Sequence, residues 1–212
     1  MPRPLPALST DFKIASLRLL ELIRRLELNF KTLKHGNSSI SLTNLQLIYE
    51  LAYLKGFLAW EAFQEEVFLR LMCGYAGANG AEPLRPGQSY FRSTADAGAA
   101  LLAGRDYILW HNPGAVVRRF DHYFDSPNSP FRTTLSSSAR LPGYSAVRHR
   151  IAHLQDHAKL QFDQATNLIA HKRYRGSRPG EFLRDQDITL PHRPRYIKLI
   201  LDDLGNLADQ MN

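Results

Sequence analysis

Residues 43–73 read TNLQLIYELAYLKGFLAWEAFQEEVFLRLMC, and this run decides the fold. Leu47, Leu51, Leu54, Leu58, Phe63, Val67 and Leu71 keep a helical period along it, which predicts one long helix presenting an apolar stripe to a core. Toward the N-terminus, Ser9 or Thr10 can cap a helix over 11–34. Its stripe is Ile14, Leu17, Leu20, Ile23 and Leu26, widened by Leu19, Leu22 and Leu28. The HGNSS turn at 35–39 ends that helix, with Gly36 as the natural left-handed terminator. Two long helices joined by a short loop predict an antiparallel hairpin. The first ten residues, MPRPLPALST, read as a flexible Pro-rich terminus.

Beyond residue 73 the text changes. GYAGANGAEPLRPGQSYFRS, 74–93, is rich in Gly and Pro without a sustained apolar period, so it reads as a long irregular loop. Short helices are expected at 94–103 and, with Asn112 as cap and Pro113 in the first turn, at 113–124. SPNSP at 126–130 reads as a break. Pro142 and Gly143 then introduce a third long helix, 144–173, which ends in the basic turn RYRGSRPG; Pro191 and Pro194 precede a last helix, 195–210. Strand signals are weak and no internal repeat is visible. The expectation is an all-α bundle of four or more helices, built as a single domain over 11–212.

The 212 residues are 44% hydrophobic and 22% charged, values that exclude a disordered or fibrous chain. No apolar run is long enough to span a membrane, and the N-terminus lacks the apolar core of a signal peptide, so a cytoplasmic protein with no membrane partner is expected. The single cysteine, Cys73, excludes an internal disulfide and a multi-cysteine zinc site within one chain, and reads as a small buried hydrophobe. The net charge of +7 is unevenly placed. Residues 140–200 hold Arg140, Arg148, Arg150, Lys159, Lys172, Arg173, Arg175, Arg178, Arg184, Arg193, Arg195 and Lys198 against five acidic residues. Concentrated positive charge favours a polyanion; a merely solvated face is the plain alternative.

Within the third predicted helix, residues 145–158 read SAVRHRIAHLQDHA and place Arg148, His149, Arg150, His153 and His157 within three turns. An arginine can hold a phosphate and stabilise the charge that develops at phosphorus. A histidine can move a proton at the same centre, and RNA supplies its own nucleophile in the 2′-hydroxyl. On a straight helix Arg148 and His153 lie about 140° apart, whereas His149 and His153 lie about 40° apart and share a face. Histidines every four residues are also a metal-ligand spacing, but only Asp156 stands near to complete a set, and no metal or other cofactor is expected. Glu61, a carboxylate in an aromatic stretch, wants a partner, and Arg148 is one candidate. The GxxxxGK, HExxH and GxSxG patterns are absent.

The run RHRIAH, Arg148 to His153, resembles the signature of HEPN-domain ribonucleases: an Arg, a polar residue commonly Asn, a few residues, then His. LAWEAFQEEVFLRLMCG (58–74) is similar to the aromatic and acidic second helix of one HEPN branch, and RYRGSRPGEFL (173–183) to its post-helix turn. That branch is the one related to RiboL-PSP and bacterial defence proteins. The resemblance spans about 43–185 and implies a HEPN-like helical bundle that forms a homodimer with two Arg-His motifs facing one cleft. It further implies metal-independent RNA cleavage in a toxin-antitoxin or antiviral setting, with an antitoxin or defence-system protein as a further partner. On this resemblance Arg148 binds the scissile phosphate, His153 is the general acid or base, and His149 replaces the usual Asn. Arg150, Lys172, Arg173, Arg175 and Arg178 would meet the RNA backbone, and Tyr174 would stack on a base. The rival readings are a non-catalytic HEPN scaffold that binds RNA, a nucleotide or a protein, and a helical docking module whose basic stretch meets an acidic partner.

Overall fold

The computed structural model describes residues 2–32, 40–77, 79–102, 108–174, 176 and 178–211. Most of these residues are helical. The order is α1 (Leu8–Thr32), α2 (Leu42–Met72), β1 (Ala76–Gly77), β2 (Gly80–Ala81), α3 (Thr94–Leu102), α4 (Pro113–Tyr123), α5 (Pro130–Ser137), α6 (Leu141–Ala152), α7 (Asp156–Ala170), α8 (Pro179–Arg184) and α9 (Tyr196–Met211). No described helix is long and apolar enough to cross a membrane. The turn at 35–39, with Gly36, lies outside the described residues.

Several expected elements are found with shifted ends. Asn112 caps α4 through an Oδ1 bond from Ala115 N (3.1 Å), with Pro113 in the first turn. The 74–93 stretch is irregular apart from the antiparallel pair β1–β2. Residues 3–5 pair with it: Leu5 N donates to Ala76 O (2.9 Å) and Ala76 N to Arg3 O (2.7 Å).

Other expectations are corrected. The helix expected over 144–173 is two helices, broken at 153–155. Arg150 Nη1 donates to His153 O (3.3 Å), occupying a carbonyl at the end of α6, and Asp156 sits in the first turn of α7, where negative charge is favoured. No Pro or Gly marks this break in the chain. Two short helices were read as turns. Beyond SPNSP, Pro130 opens α5, whose Phe131 and Leu135 are buried one turn apart. Within RPGEFL, Pro179 opens α8; Glu50 Oε1 accepts from Gly180 N (2.8 Å), and a Cβ at Gly180 would collide with the carbonyl of Gln46. On α2 the expected core stripe is only half right: Leu45, Tyr49, Tyr53 and Phe57 are buried, whereas Leu47, Leu51 and Leu58 face solvent.

The chain divides into two compact units. One comprises Met1–Phe12, Trp60–Leu141 and Gly205–Asn212, the other Lys13–Ala59 and Pro142–Leu204, so the boundaries fall inside α1, α2, α6 and α9. The first unit is held by an aromatic cluster. The Phe68 ring meets Trp110, Phe120, Phe124 and Phe131 edge-on at centroid distances of 5.7–6.1 Å, and Gln64 Nε2 donates to Trp110 O (3.3 Å) beside it. In the second unit Tyr53 donates to the Tyr144 carbonyl (2.8 Å) and Tyr144 donates to Asp203 Oδ2 (2.7 Å), which ties α2 to α6 and α6 to α9. Phe68→Ala is expected to cost about 3–5 kcal/mol, because it opens a cavity among four rings. Chemical denaturation measures it, and a loss below about 1 kcal/mol would show that the cluster re-closes.

Candidate functional site

The Arg-His segment lies at the C-terminal end of α6. Arg148, His149 and Arg150 are half-buried in its last turns, and His153 is exposed just past the helix, its N–H still bonded to His149 O (2.9 Å). The structure brings His149 and His153 together, ring centroids 4.5 Å apart and planes tilted by 48°. This is the pair that helical spacing placed on one face. His157 is exposed in the first turn of α7, and between the helices Leu154 is 87% exposed. The site is therefore an open helix end bearing imidazoles and guanidinium groups.

Its electrostatics follow from that crowding. Burial lowers the pKa of His149 below the ordinary imidazole value, and the positive charges of His153, Arg148 and His157 push it the same way. Among the described residues no group of three or more His, Cys, Asp or Glu side chains is arranged to hold a metal ion. Glu61 Oε1 lies 3.9 Å from His111 Nδ1 in the first unit. Cys73 is half-buried, and burial raises its thiol pKa.

The basic turn after α7 is less uniform than its composition. Arg173 and Arg178 are exposed, and Arg175 lies outside the described residues. Lys172 is exposed but pairs with Asp185 Oδ2 (3.0 Å) and sits over the Tyr174 ring. Tyr174, expected to stack on a base, is 3% exposed: its hydroxyl donates to Asp185 Oδ2 (2.8 Å) and its ring packs edge-on against Phe182. That ring is committed to the core.

One charged cluster was missed by sequence reasoning. Glu27, 6% exposed, accepts from Tyr49 Oη (3.0 Å) and Arg184 Nε (2.8 Å) on one oxygen, while Arg195 Nη2 lies 3.0 Å from the other. Arg184 and Arg195, part of the charge excess between residues 140 and 200, both pair with this carboxylate. The available signal was Glu27 at i+4 from Ile23 and i+7 from Leu20, a carboxylate within the apolar stripe of α1. No family profile, no curated protein and no solved structure matches the chain.

The sign of the His149 effect gives a prediction. Its folded pKa is lowered, so as pH falls the unfolded chain takes up the proton first, and this residue removes stability increasingly through the ordinary imidazole range. Between about pH 7.5 and 5.5 the thermal midpoint of His149→Gln is expected to fall less than that of wild type. Equal slopes would show that burial does not hold this ring neutral.

Proposed function

We propose that this chain is a metal-independent endoribonuclease of HEPN-like architecture, with Arg148 and His153 as its catalytic residues and His149 as a positioning residue. The observation that carries the reading is the His149–His153 ring pair, 4.5 Å apart at an open helix end with Arg148 one residue away. Arg148 holds the scissile phosphate and stabilises the charge that builds on it. The 2′-oxygen attacks phosphorus as its proton leaves, and the 5′-oxygen departs as it gains one, giving a 2′,3′-cyclic phosphate and a 5′-hydroxyl. His153 is the exposed group able to carry such a proton, and His149, whose ring lies against it, orients it.

A homodimer with Arg148 and His153 of both chains in one cleft would place a second proton carrier at the same phosphate. That feature, RNA as substrate, and a toxin-antitoxin or antiviral role with a neutralising partner protein rest on the resemblance of RHRIAH and its surroundings. Exposed Arg173 and Arg178, with Arg150, are the proposed backbone contacts. The alternative, a non-catalytic scaffold that binds RNA, a nucleotide or a partner through the same face, differs in having no turnover.

Cleavage of a mixed RNA pool in excess EDTA separates these readings. Wild type is expected to cut and leave cyclic phosphate ends, with Arg148→Ala and His153→Ala each slower by about 10²–10⁴-fold. His149→Gln is expected to move the pH profile of cleavage more than its maximum. Binding without cleavage by folded wild type would defeat the nuclease reading and favour the scaffold. The Arg173→Ala/Arg178→Ala variant is expected to bind RNA more weakly and to lower the slope of log K against log salt by roughly one to two; an unchanged slope would remove these residues from the interface.

A further inference from the structure

The groove between α1 and α9 has no part in the chemistry described so far and a composition of its own. Helix α9 runs back along α1: Arg195 sits at Glu27, while a Cβ at Gly56 of α2 would come within 4 Å of both Leu19 and Leu201. Here the two helices border a cavity of about 640 Å³, inside the size range of small-molecule sites. Its walls are apolar over much of their length. Ile23 and Ile197 are buried, Leu20 is half-buried, and Leu17 stands at the edge 61% exposed. At a rise of about 1.5 Å per residue, the strip from Leu17 to Glu27 extends about 15 Å along α1.

The charges around this strip favour one sign of ligand. Glu27 is met by both Arg184 and Arg195, and Glu21 by both Arg24 and Arg25. Each carboxylate at the cavity therefore already has two cations, and a third would meet net positive charge where an anion meets attraction. Arg195 spends Nη1 on the Arg184 carbonyl and Nη2 on Glu27, but a guanidinium carries five N–H groups, so others on it have no partner among the described residues. Lys198, in the first turn of α9, pairs with Asp202 in an exposed contact that solvent weakens. The helix itself adds to the field: Ile197 and Lys198 line the cavity where first-turn amides have no intrahelical acceptor and the dipole is positive.

We propose that this cavity binds a medium-chain fatty acid, its alkyl chain along Leu17, Leu20, Ile23 and Ile197 and its carboxylate at Arg195 and Lys198. The lining holds three cations, Arg24, Arg195 and Lys198, against the two carboxylates of Glu21 and Glu27. A monoanion balances that excess, whereas a phosphate monoester, with a charge of about −1.5 to −2, overshoots it. A carboxylate also matches the fork of a guanidinium, which meets it through paired N–H bonds. The alkyl chain gives the exposed Leu17 side chain apolar cover that water does not. No residue of the Arg-His segment lines the cavity, so the inference does not rest on the nuclease reading.

Isothermal titration calorimetry of the full chain with sodium decanoate, kept below its micelle concentration, tests this. Saturable uptake of one decanoate per chain is expected, with decanol and decyltrimethylammonium each bound about tenfold more weakly or less, since neither offers the anion. Leu17→Asp and Lys198→Glu, both at exposed positions, are expected to weaken decanoate by about tenfold each with unchanged circular dichroism. Arg148→Ala is expected to bind decanoate as wild type does, so failure of RNA cleavage and failure of this site are separate results. A folded wild type that takes up no decanoate, or that binds the three decyl compounds alike, would overturn the proposal. So would decanoate affinity unchanged by both substitutions, or adsorption to anionic phospholipid vesicles without uptake of monomeric decanoate.

Discussion

The second unit is organised around one buried carboxylate. Glu27 on α1 gathers a hydroxyl from α2, a guanidinium from the end of α8 and another from the start of α9. A charge taken out of water is tolerated only when its hydrogen bonds and countercharges are supplied, and here three helices supply them. The donors are secured in turn. Burial raises the Tyr49 pKa so that its hydroxyl stays a donor, Arg195 also donates to the Arg184 carbonyl, and both guanidinium groups lie over aromatic rings, Arg184 over Phe30 and Arg195 over Tyr49. A buried pair of this kind is weak evidence for net stability. This one ties Arg184 at the end of α8 and Arg195, just ahead of α9, to Glu27 on α1.

That arrangement changes the meaning of the charge excess between residues 140 and 200. Arg184 and Arg195 belong to Glu27, Lys172 to Asp185 and Lys198 to Asp202. An exposed ion pair contributes little to stability, but it lowers the local field that a polyanion would feel. The positive character of this stretch is accordingly concentrated in fewer side chains than composition implies, Arg173 and Arg178 among them. The Arg-His segment gains in importance for the same reason.

The break between α6 and α7 gives that segment its chemical character. Had the helix continued, His153 would be one more residue on a regular surface. Ending at Ala152 leaves His153 exposed while its ring stays against His149, and Arg150 turns back to hold the His153 carbonyl. Burial lowers the pKa of the inner ring, and the outer one is open to solvent. Two histidines of the same type thus acquire different environments four residues apart, a separation that acid-base chemistry can use.

The helical class, the positions of α1, α2, α4 and α9, the Asn112 cap and the shared face of His149 and His153 were all legible in the sequence. These are local properties: helical period, cap chemistry and a rotation of about 100° per residue act over a few neighbouring residues. The helix break at 153–155 was not legible, because a side chain reaching back to a carbonyl leaves no Pro or Gly to mark it. Nor were α5 and α8, whose prolines read as breaks but stand in helical first turns. Which side of α2 is core was equally hidden, since leucines on both sides keep the same period. The burial of Tyr174 beside Asp185 and the pairing of Arg184 and Arg195 with Glu27 were hidden too. Sequence alone determined the helical class and the positions of the long amphipathic helices; only the tertiary structure decided which faces are buried and which charges are already paired, because burial and pairing depend on partners distant along the chain.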